Sequence, residues 1–192
     1  MVFSYKPSGI TVSEAGVPVT TGTALRMYVE SSGTTGKPDN IQSGIAAANT
    51  SSSTATVTFE LRSLDGSSIT GLTPASISLP GSGQTSKFLA DVFPTLPNPF
   101  KGVLRITTTS SGVSVAGLRT RYNERSDFLI TTTPPTVESN PTTTAEMYFP
   151  HFADGGGYTT QFILFSGIAG QTSSGTLRFY DPDGQAVNKT LR

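Results

Sequence analysis

The residues with the most chemical potential sit in three short strings. The one histidine, His151, lies in Phe149-Pro-His-Phe-Ala-Asp154-Gly-Gly-Gly-Tyr158, where an imidazole and a carboxylate three residues apart precede a glycine run. Such a pair could begin a metal site, but zinc takes three or four protein ligands, and the chain has neither a second histidine nor a cysteine to complete the set. A strand end followed by a turn accounts for the same residues. Asp181-Pro-Asp-Gly184 has the alternating carboxylates and glycine that open a calcium loop, yet the later carboxylates and closing glutamate are missing, and Pro-Asp-Gly is already a complete turn recipe. Arg119-Thr-Arg-Tyr-Asn-Glu-Arg-Ser-Asp127 is the densest charge cluster. It could hold an acidic sugar or a partner, or its arginines could pair with Glu124 and Asp127 at the surface, each pair adding little to stability.

Nucleophilic and glycosidic chemistry fare no better. Serines are plentiful, but nothing places one beside His151, and no Gly-x-Ser-x-Gly elbow occurs. The 13 acidic residues are scattered through turns, whereas glycoside hydrolysis needs two carboxylates facing each other across a cleft. The chain therefore reads as no enzyme, with no catalytic, cofactor-binding or metal-binding residue assigned and no cofactor. Aromatic side chains remain as sugar platforms: Tyr148, Phe149, Phe152, Tyr158 and Tyr180. Tyr180 falls on the outward parity of its strand and Tyr158 follows the glycines, so these two are the candidate ligand-facing residues, against the competing reading of core or interface rings. Asn49-Thr-Ser51 and Asn188-Lys-Thr190 fit the N-glycosylation triplet, which arises easily by chance in Ser/Thr-rich sequence and carries no weight.

Composition bounds the rest. Thirteen basic residues balance thirteen acidic ones in 192, and only 14% are charged, so the electrostatic footprint of a nucleic-acid or anionic-membrane binder is missing. Cysteine is absent, which removes disulfides and thiolate chemistry. No apolar run approaches the length of a membrane span, and the first residues lack the pattern of a signal peptide. With 20 Gly, 13 Pro, abundant Ser and Thr and no helix-period segment, the composition is that of an all-β protein rich in turns.

The elements that must position these residues are organised by a partial internal repeat. Val57-Thr-Phe-Glu-Leu-Arg-Ser-Leu-Asp65-Gly66 aligns without a gap on Gly175-Thr-Leu-Arg-Phe-Tyr-Asp-Pro-Asp183-Gly184, and Arg26-Met-Tyr-Val29 on Glu146-Met-Tyr-Phe149. A period of roughly 120 residues suits tandem domains and is too long for a solenoid. The second copy runs for only half the length of the first, and half a copy is expected to bury too little apolar surface to stand alone. Alternation puts Val57, Phe59 and Leu61 on the buried face of one strand and Leu177 and Phe179 on that of its counterpart, with turns at Asp65-Gly66 and Asp183-Gly184. Further expectations are a strand over Ser76 to Leu79, a helical turn from Phe88 to Phe93 stopped by Pro94, and a hairpin at Ser110-Ser-Gly112. Val113 and Val115 share one parity and Leu118, Thr120 and Tyr122 the other, which predicts a β-bulge at Ala116-Gly117. A strand over Gly9 to Ser13 is expected to be the tail of a preceding copy, the chain being cut out of phase with its own repeat. Four strands are expected in the C-terminal piece: Met147 to Phe149, Tyr158 to Ser166, Thr176 to Tyr180 and Ala186 to Leu191. Phe162-Ile-Leu-Phe165 is apolar on both parities, as in a strand covered on both faces.

Several strings together resemble a repeat found in large secreted or surface proteins of soil bacteria: Val12-Ser-Glu-Ala-Gly-Val-Pro18, Lys101-Gly-Val-Leu-Arg-Ile106, Gly117-Leu-Arg-Thr-Arg-Tyr-Asn-Glu-Arg125, Asp127-Phe-Leu-Ile-Thr-Thr-Thr-Pro-Pro135 and the Phe149 to Tyr158 string. The resemblance covers most of the chain. It implies an extracellular or cell-surface setting and Arg192 as a natural end, and it brings no activity and no site residue.

The expected fold is an all-β immunoglobulin-like sandwich with a smaller C-terminal β unit from the partial repeat. Residues 1–24 are read as an N-terminal strand and linker, 25–135 as the sandwich, 136–145 as a Pro/Thr-rich linker and 146–192 as the half repeat. The expected function is a non-enzymatic secreted or surface structural module, serving as stalk, adhesive domain or filament subunit. Its partners are other copies of itself or neighbouring β domains, joined by strand addition, with Ile10, Val12, Phe162 and Phe165 as candidate interface residues. The alternatives are a carbohydrate-binding module that takes polysaccharide and an accessory domain of a larger extracellular hydrolase. Nucleic acid and membrane insertion are not expected.

Overall fold

In the computed structural model, residues 1–138, 146–164, 166 and 174–189 are described. The N-terminal residues form β1 (Val2–Tyr5) and β2 (Ser13–Gly16), an antiparallel pair closed by a 3-10 turn at Pro7–Gly9, followed by the short β3 (Thr20–Thr21). Then come β4 (Ala24–Ser32), β5 (Ile41–Asn49), β6 (Ala55–Ser63), β7 (Ala75–Leu79), β8 (Gln84–Phe88), the single helical turn α1 (Leu89–Val92), β9 (Phe100–Thr108), β10 (Val113–Tyr122), β11 (Phe128–Thr132) and β12 (Thr136–Val137). A last pair, β13 (Phe179–Tyr180) and β14 (Ala186–Val187), lies in the C-terminal piece.

Two antiparallel layers make the sandwich. One has the order β12-β4-β9-β6-β7, and the other β11-β10-β5-β8 with β3 extending the outer edge of β10 beyond β11. The orders β4-β9-β6 and β11-β10-β5 are of the immunoglobulin type. The layers touch at one corner, where β4 and β5 pair only through Ser31–Gln42 and Ser32–Ile41 before β4 turns to run beside β9. Alternation explains the core: Leu25, Met27 and Val29 of β4, Val57, Phe59 and Leu61 of β6, and Leu104 and Ile106 of β9 face Ile45, Ala47, Val113 and Val115 of the other layer, all buried. The helical turn forms where expected: Leu89 is buried, the Phe93 amide donates to the Leu89 carbonyl at 2.9 Å, and Pro94 follows.

Three local expectations are corrected. Ser110-Ser-Gly112 is no hairpin, because β9 pairs only with β4 and β6 while β10 joins β5, β11 and β3; the turn carries the chain from one layer to the other. There is no bulge at Ala116-Gly117 either, since β10 keeps one register along β5 from Val113–Asn49 to Arg121–Ile41. The parity change has another origin. Thr120 is buried, its hydroxyl donating to the Gln42 carbonyl of the neighbouring β5, and Tyr122 packs on Phe128, whose ring in turn meets Tyr5 of the β1–β2 hairpin. The expected strand over Gly9 to Ser13 is displaced: pairing begins at Ser13, and Ile10 and Thr11 lie in the connection from the preceding 3-10 turn.

The hairpin docks on its own sandwich. The Ser13 hydroxyl accepts from the Ile130 amide at 2.7 Å and donates to the Ile130 carbonyl at 3.4 Å, so one side chain serves the free edge of β11 in place of a backbone ladder. The Tyr5 ring meets Phe128 edge-on at 5.0 Å, Phe128 meets Tyr122 at 5.0 Å, and Val17 is buried.

The internal repeat survives as geometry. In the first copy the Gly66 amide donates to the Ser63 carbonyl at 2.9 Å and the Ser63 amide to the Ser67 carbonyl at 3.0 Å; in the second the matching bonds are Gly184 to Asp181 at 3.0 Å and Asp181 to Gln185 at 2.9 Å. Gly66 and Gly184 have φ of 85° and 79°, the left-handed position that closes a three-residue hairpin loop. Register matches as well, Arg62 facing Ser68 and Tyr180 facing Ala186. Packing differs. Of the four strands expected after residue 146, the described residues show the β13–β14 hairpin, with no strand over Met147 to Phe149 or Tyr158 to Leu164. No described residue from 146 to 189 is fully buried.

Candidate functional site

The residues singled out for chemistry are used in turns. His151 and Asp154 are exposed, and the segment is closed by its backbone: Gly155 and Tyr158 exchange amide-carbonyl bonds at 3.0 Å, and Thr160 Oγ1 bonds both the amide and the carbonyl of Ala153. Asp181 Oδ1 accepts the amides of Asp183 at 3.0 Å and Gln185 at 2.7 Å, so this carboxylate caps its own turn. In the first copy Asp65 does the capping. The Ser63 hydroxyl and Ser67 hydrogen-bond its carboxylate and hold it down to about 2. Among the described residues no group of three or more His, Asp or Glu side chains could hold a metal.

The charge cluster divides by depth. Arg121 bonds Asp39 at 2.9 Å and Glu124 at 2.6 Å, and Arg125 bonds Asp127 at 3.2 Å, all near the surface as the bland reading expects. Arg119 goes elsewhere. It meets Glu30 at 3.0 Å at the corner where β4 leaves β5, and Glu30, only 6% exposed, is also approached by Lys101 at 3.4 Å and bonds the Ser43 hydroxyl through its own amide. Tyr28 lies in this neighbourhood, its hydroxyl buried with no hydrogen-bond partner. Burial first and the Glu30 carboxylate second push its ionisation up to about 12, the Arg119 charge acting the other way. A raised folded value means that both states keep the proton below the ordinary 10.0, and that stability is lost as pH climbs from there toward about 12. Tyr28→Phe is therefore expected to leave stability at neutral pH within about 1 kcal/mol of the parent, because the approach of the hydroxyl to the Glu30 carboxylate falls short of a well-formed hydrogen bond. The same variant should flatten the alkaline loss, as thermal melts across that pH range will read.

A second ionic row crosses the outer face of the β4 layer, and sequence reading missed it. Arg26 and Arg105 stand directly opposite each other on β4 and β9, an unfavourable like-charge pair by itself. Glu138, just after β12, reaches between them and accepts from Arg26 Nε and Arg105 Nε at 2.7 Å each. Burial alone would raise the Glu138 carboxyl, but the two guanidinium groups outweigh it and hold it below the usual range. Glu60 and Arg62 extend the row. The Arg26 guanidinium also donates to the Ser166 carbonyl at 2.8 Å, which ties the C-terminal piece to this face. The missing signal was pairing: these residues are far apart in sequence and meet only once the strand register is known.

The expected interface residues fall in two places. Phe162 is half-buried in an aromatic cluster, edge-on to Phe149 at 5.1 Å and 6.1 Å from Phe179, which meets Phe152 at 5.0 Å. Leu177 and Phe179 take the inward parity expected of them, and Arg178 and Tyr180 point out. Phe165 lies outside the described residues. Val12 is half-buried and Ile10 is 70% exposed, both in the hairpin held by β11. Of the candidate sugar platforms, Tyr158 is 70% exposed and Tyr180 53%. Tyr148 is still more open, and its hydroxyl donates to Glu146 at 2.6 Å.

No family model and no curated protein matches the chain. Among solved structures, the crystal structure of Thermotoga maritima 1070 is similar over 60% of this chain and 95% of that one, at 11% identity and a TM-score of 0.45, too slight a likeness to carry an argument.

Proposed function

We propose that this chain is a non-enzymatic structural module of a secreted or cell-surface protein, a stalk, adhesive or filament unit that associates through β-sheet contacts. The observation that carries the proposal is the contrast between the two copies. β6 is buried between β9 and β7 with Phe59 only 1% exposed, whereas the matching hairpin β13–β14 repeats the turn and register of β6 with every described residue around it at least partly exposed. Free edges and uncovered aromatic rings are the ingredients of strand addition. The extracellular setting rests on the resemblance of the repeat strings.

A second reading, a carbohydrate-binding module, is favoured by the exposed rings of Tyr158 and Tyr180. Electron microscopy of the purified chain together with affinity electrophoresis on a panel of polysaccharides separates the two. Assemblies without retardation by any polysaccharide are expected. Isolated particles retarded by one polysaccharide, with the retardation lost in Tyr158→Ala or Tyr180→Ala, would overturn the structural reading in favour of the second.

A further inference from the structure

The exposed apolar side chains of this protein are concentrated in its two terminal pieces. Among the described residues, Leu64, Phe88 and Val137 are the only exposed large hydrophobics between residues 20 and 146. All the others lie in the N-terminal segment, led by Met1, Val2 and Ile10, or in the C-terminal unit, led by Met147, Tyr148 and Tyr158. We propose that these are two halves of one interface: the N-terminal hairpin of one chain covers the aromatic face of the C-terminal unit of a second copy, head to tail. The proposal rests on the structural reading above and adds the partner and the surfaces.

Strand geometry makes the two halves complementary. β1–β2 and β13–β14 are each two-stranded, and an isolated pair of strands is marginal in water. β1 pairs only with β2 among the described residues, and all four of its residues are exposed, so its other edge is open. In the first copy Leu61 stands opposite Leu104 of β9; Phe179 is the repeat counterpart of Leu61, and among the described residues no strand lies on that side of β13. Setting β1 against that edge makes a four-stranded sheet from two pairs and brings the apolar side chains of the hairpin to the Phe149, Phe162 and Phe179 rings.

Two further observations name a second copy as the occupant. The hairpin is already engaged with β11 of its own chain through Ser13 of β2 and Tyr5 at the end of β1, whereas the C-terminal piece is tied to the outer face of the other layer through Arg26 and Ser166. The C-terminal face it would cover is then that of another molecule. Charge also raises no barrier. The chain has a formal net charge of +0, a condition that favours self-association, and the hairpin's Lys6 and Glu14 lie 3.7 Å apart and neutralise each other. Because the two surfaces differ, the contact is heterologous, and unless rotation closes a ring it propagates into an open array.

The test uses the full chain and two end-blocked variants made at exposed positions, so that folding is spared. Val2→Lys with Ile10→Lys blocks the hairpin, and Phe149→Lys, at an exposed ring packed on Phe162, blocks the aromatic face. Sedimentation across about a hundredfold range of concentration should show the parent growing in mass while each variant stays monomeric. A one-to-one mixture of the variants should form a dimer and stop there, because each supplies the surface the other lacks. If the parent assembles but the mixture stays monomeric, or if either variant still assembles, head-to-tail pairing is wrong while assembly itself stands. A parent that stays monomeric overturns this pairing, and one that also binds polysaccharide overturns the structural reading beneath it.

Discussion

Replacing Asn49 by alanine is expected to lower the unfolding free energy by about 3 kcal/mol, one of the largest effects of any polar substitution in this chain. Asn49 ends β5 and is 1% exposed. Its amide nitrogen donates to the carbonyls of Ser53 at 2.8 Å, Leu79 at 3.1 Å and Pro80 at 3.1 Å, and its amide oxygen accepts from the amide and hydroxyl of Ser51. One side chain thus fastens the β5–β6 loop to the β7–β8 connection at the end of the sandwich. Alanine would strand buried carbonyls without a donor and leave a void where the amide stood. Urea titration should show a lower midpoint at an unchanged slope, and Asn188→Ala, in the other glycosylation-like triplet, should leave both midpoint and slope unchanged, because Asn188 is exposed. Equal midpoints for the two variants would refute the account.

Gly117→Ala is expected to destabilise by about 3 kcal/mol, at the upper end for an added methyl group, for a reason the sequence reading did not anticipate. A β-carbon at this position would stand 2.3 Å from the Thr133 carbonyl oxygen and 2.4 Å from Met27 Cε. Gly117 is therefore the point at which the core side chain of β4 and the backbone following β11 approach β10 closely. The Met27 methyl can move aside, whereas the Thr133 carbonyl is held by the chain around it. Met27→Ala in the Gly117→Ala background should consequently fail to restore stability. Had Gly117 been a bulge, alanine there would have lost about 1 kcal/mol or less, and the Met27 change would add its own cavity penalty. Thermal melts of the single and double variants decide between these outcomes.

Legibility varied with how local the signal was. Strand β6, its parity, the turn at Asp65-Gly66 and the matching turn at Asp183-Gly184 were all readable, because alternation and turn chemistry act over a few residues. The helical turn at Leu89 was readable for the same reason. The partner of each strand was not. Val113 to Tyr122 changes parity, which alternation alone could interpret only as a bulge, since nothing in the string says that Thr120 is satisfied by the Gln42 carbonyl or that Tyr122 packs on the Phe128 ring. Ser110-Ser-Gly112 was a correct turn with the wrong destination, because a turn's residues fix its local shape and leave open which layer the next strand joins. Arg119 was read with the charges beside it in sequence, while its buried partner Glu30 lies 89 residues away.

The candidate interface was half visible. An apolar run at Phe162 and an orphan segment around Ile10 and Val12 stood out because neither fits a solvated strand. Their settings, an aromatic cluster in one case and a hairpin docked on β11 in the other, required coordinates.

By itself, then, the sequence determined the all-β class, the sandwich with its half repeat, the shape of both Asp-Gly turns and the balance of charge. These depend on composition and on periods of two to four residues, which backbone sterics and burial enforce wherever they occur. Only the tertiary structure decided that Asn49 is a buried fastener, that Gly117 is a close-approach point, that Glu138 reconciles two opposed arginines, and that exposed apolar surface collects in the two terminal pieces. Those outcomes depend on which strands lie side by side. Pairing is set by the joint packing of the whole chain, and no local string encodes it.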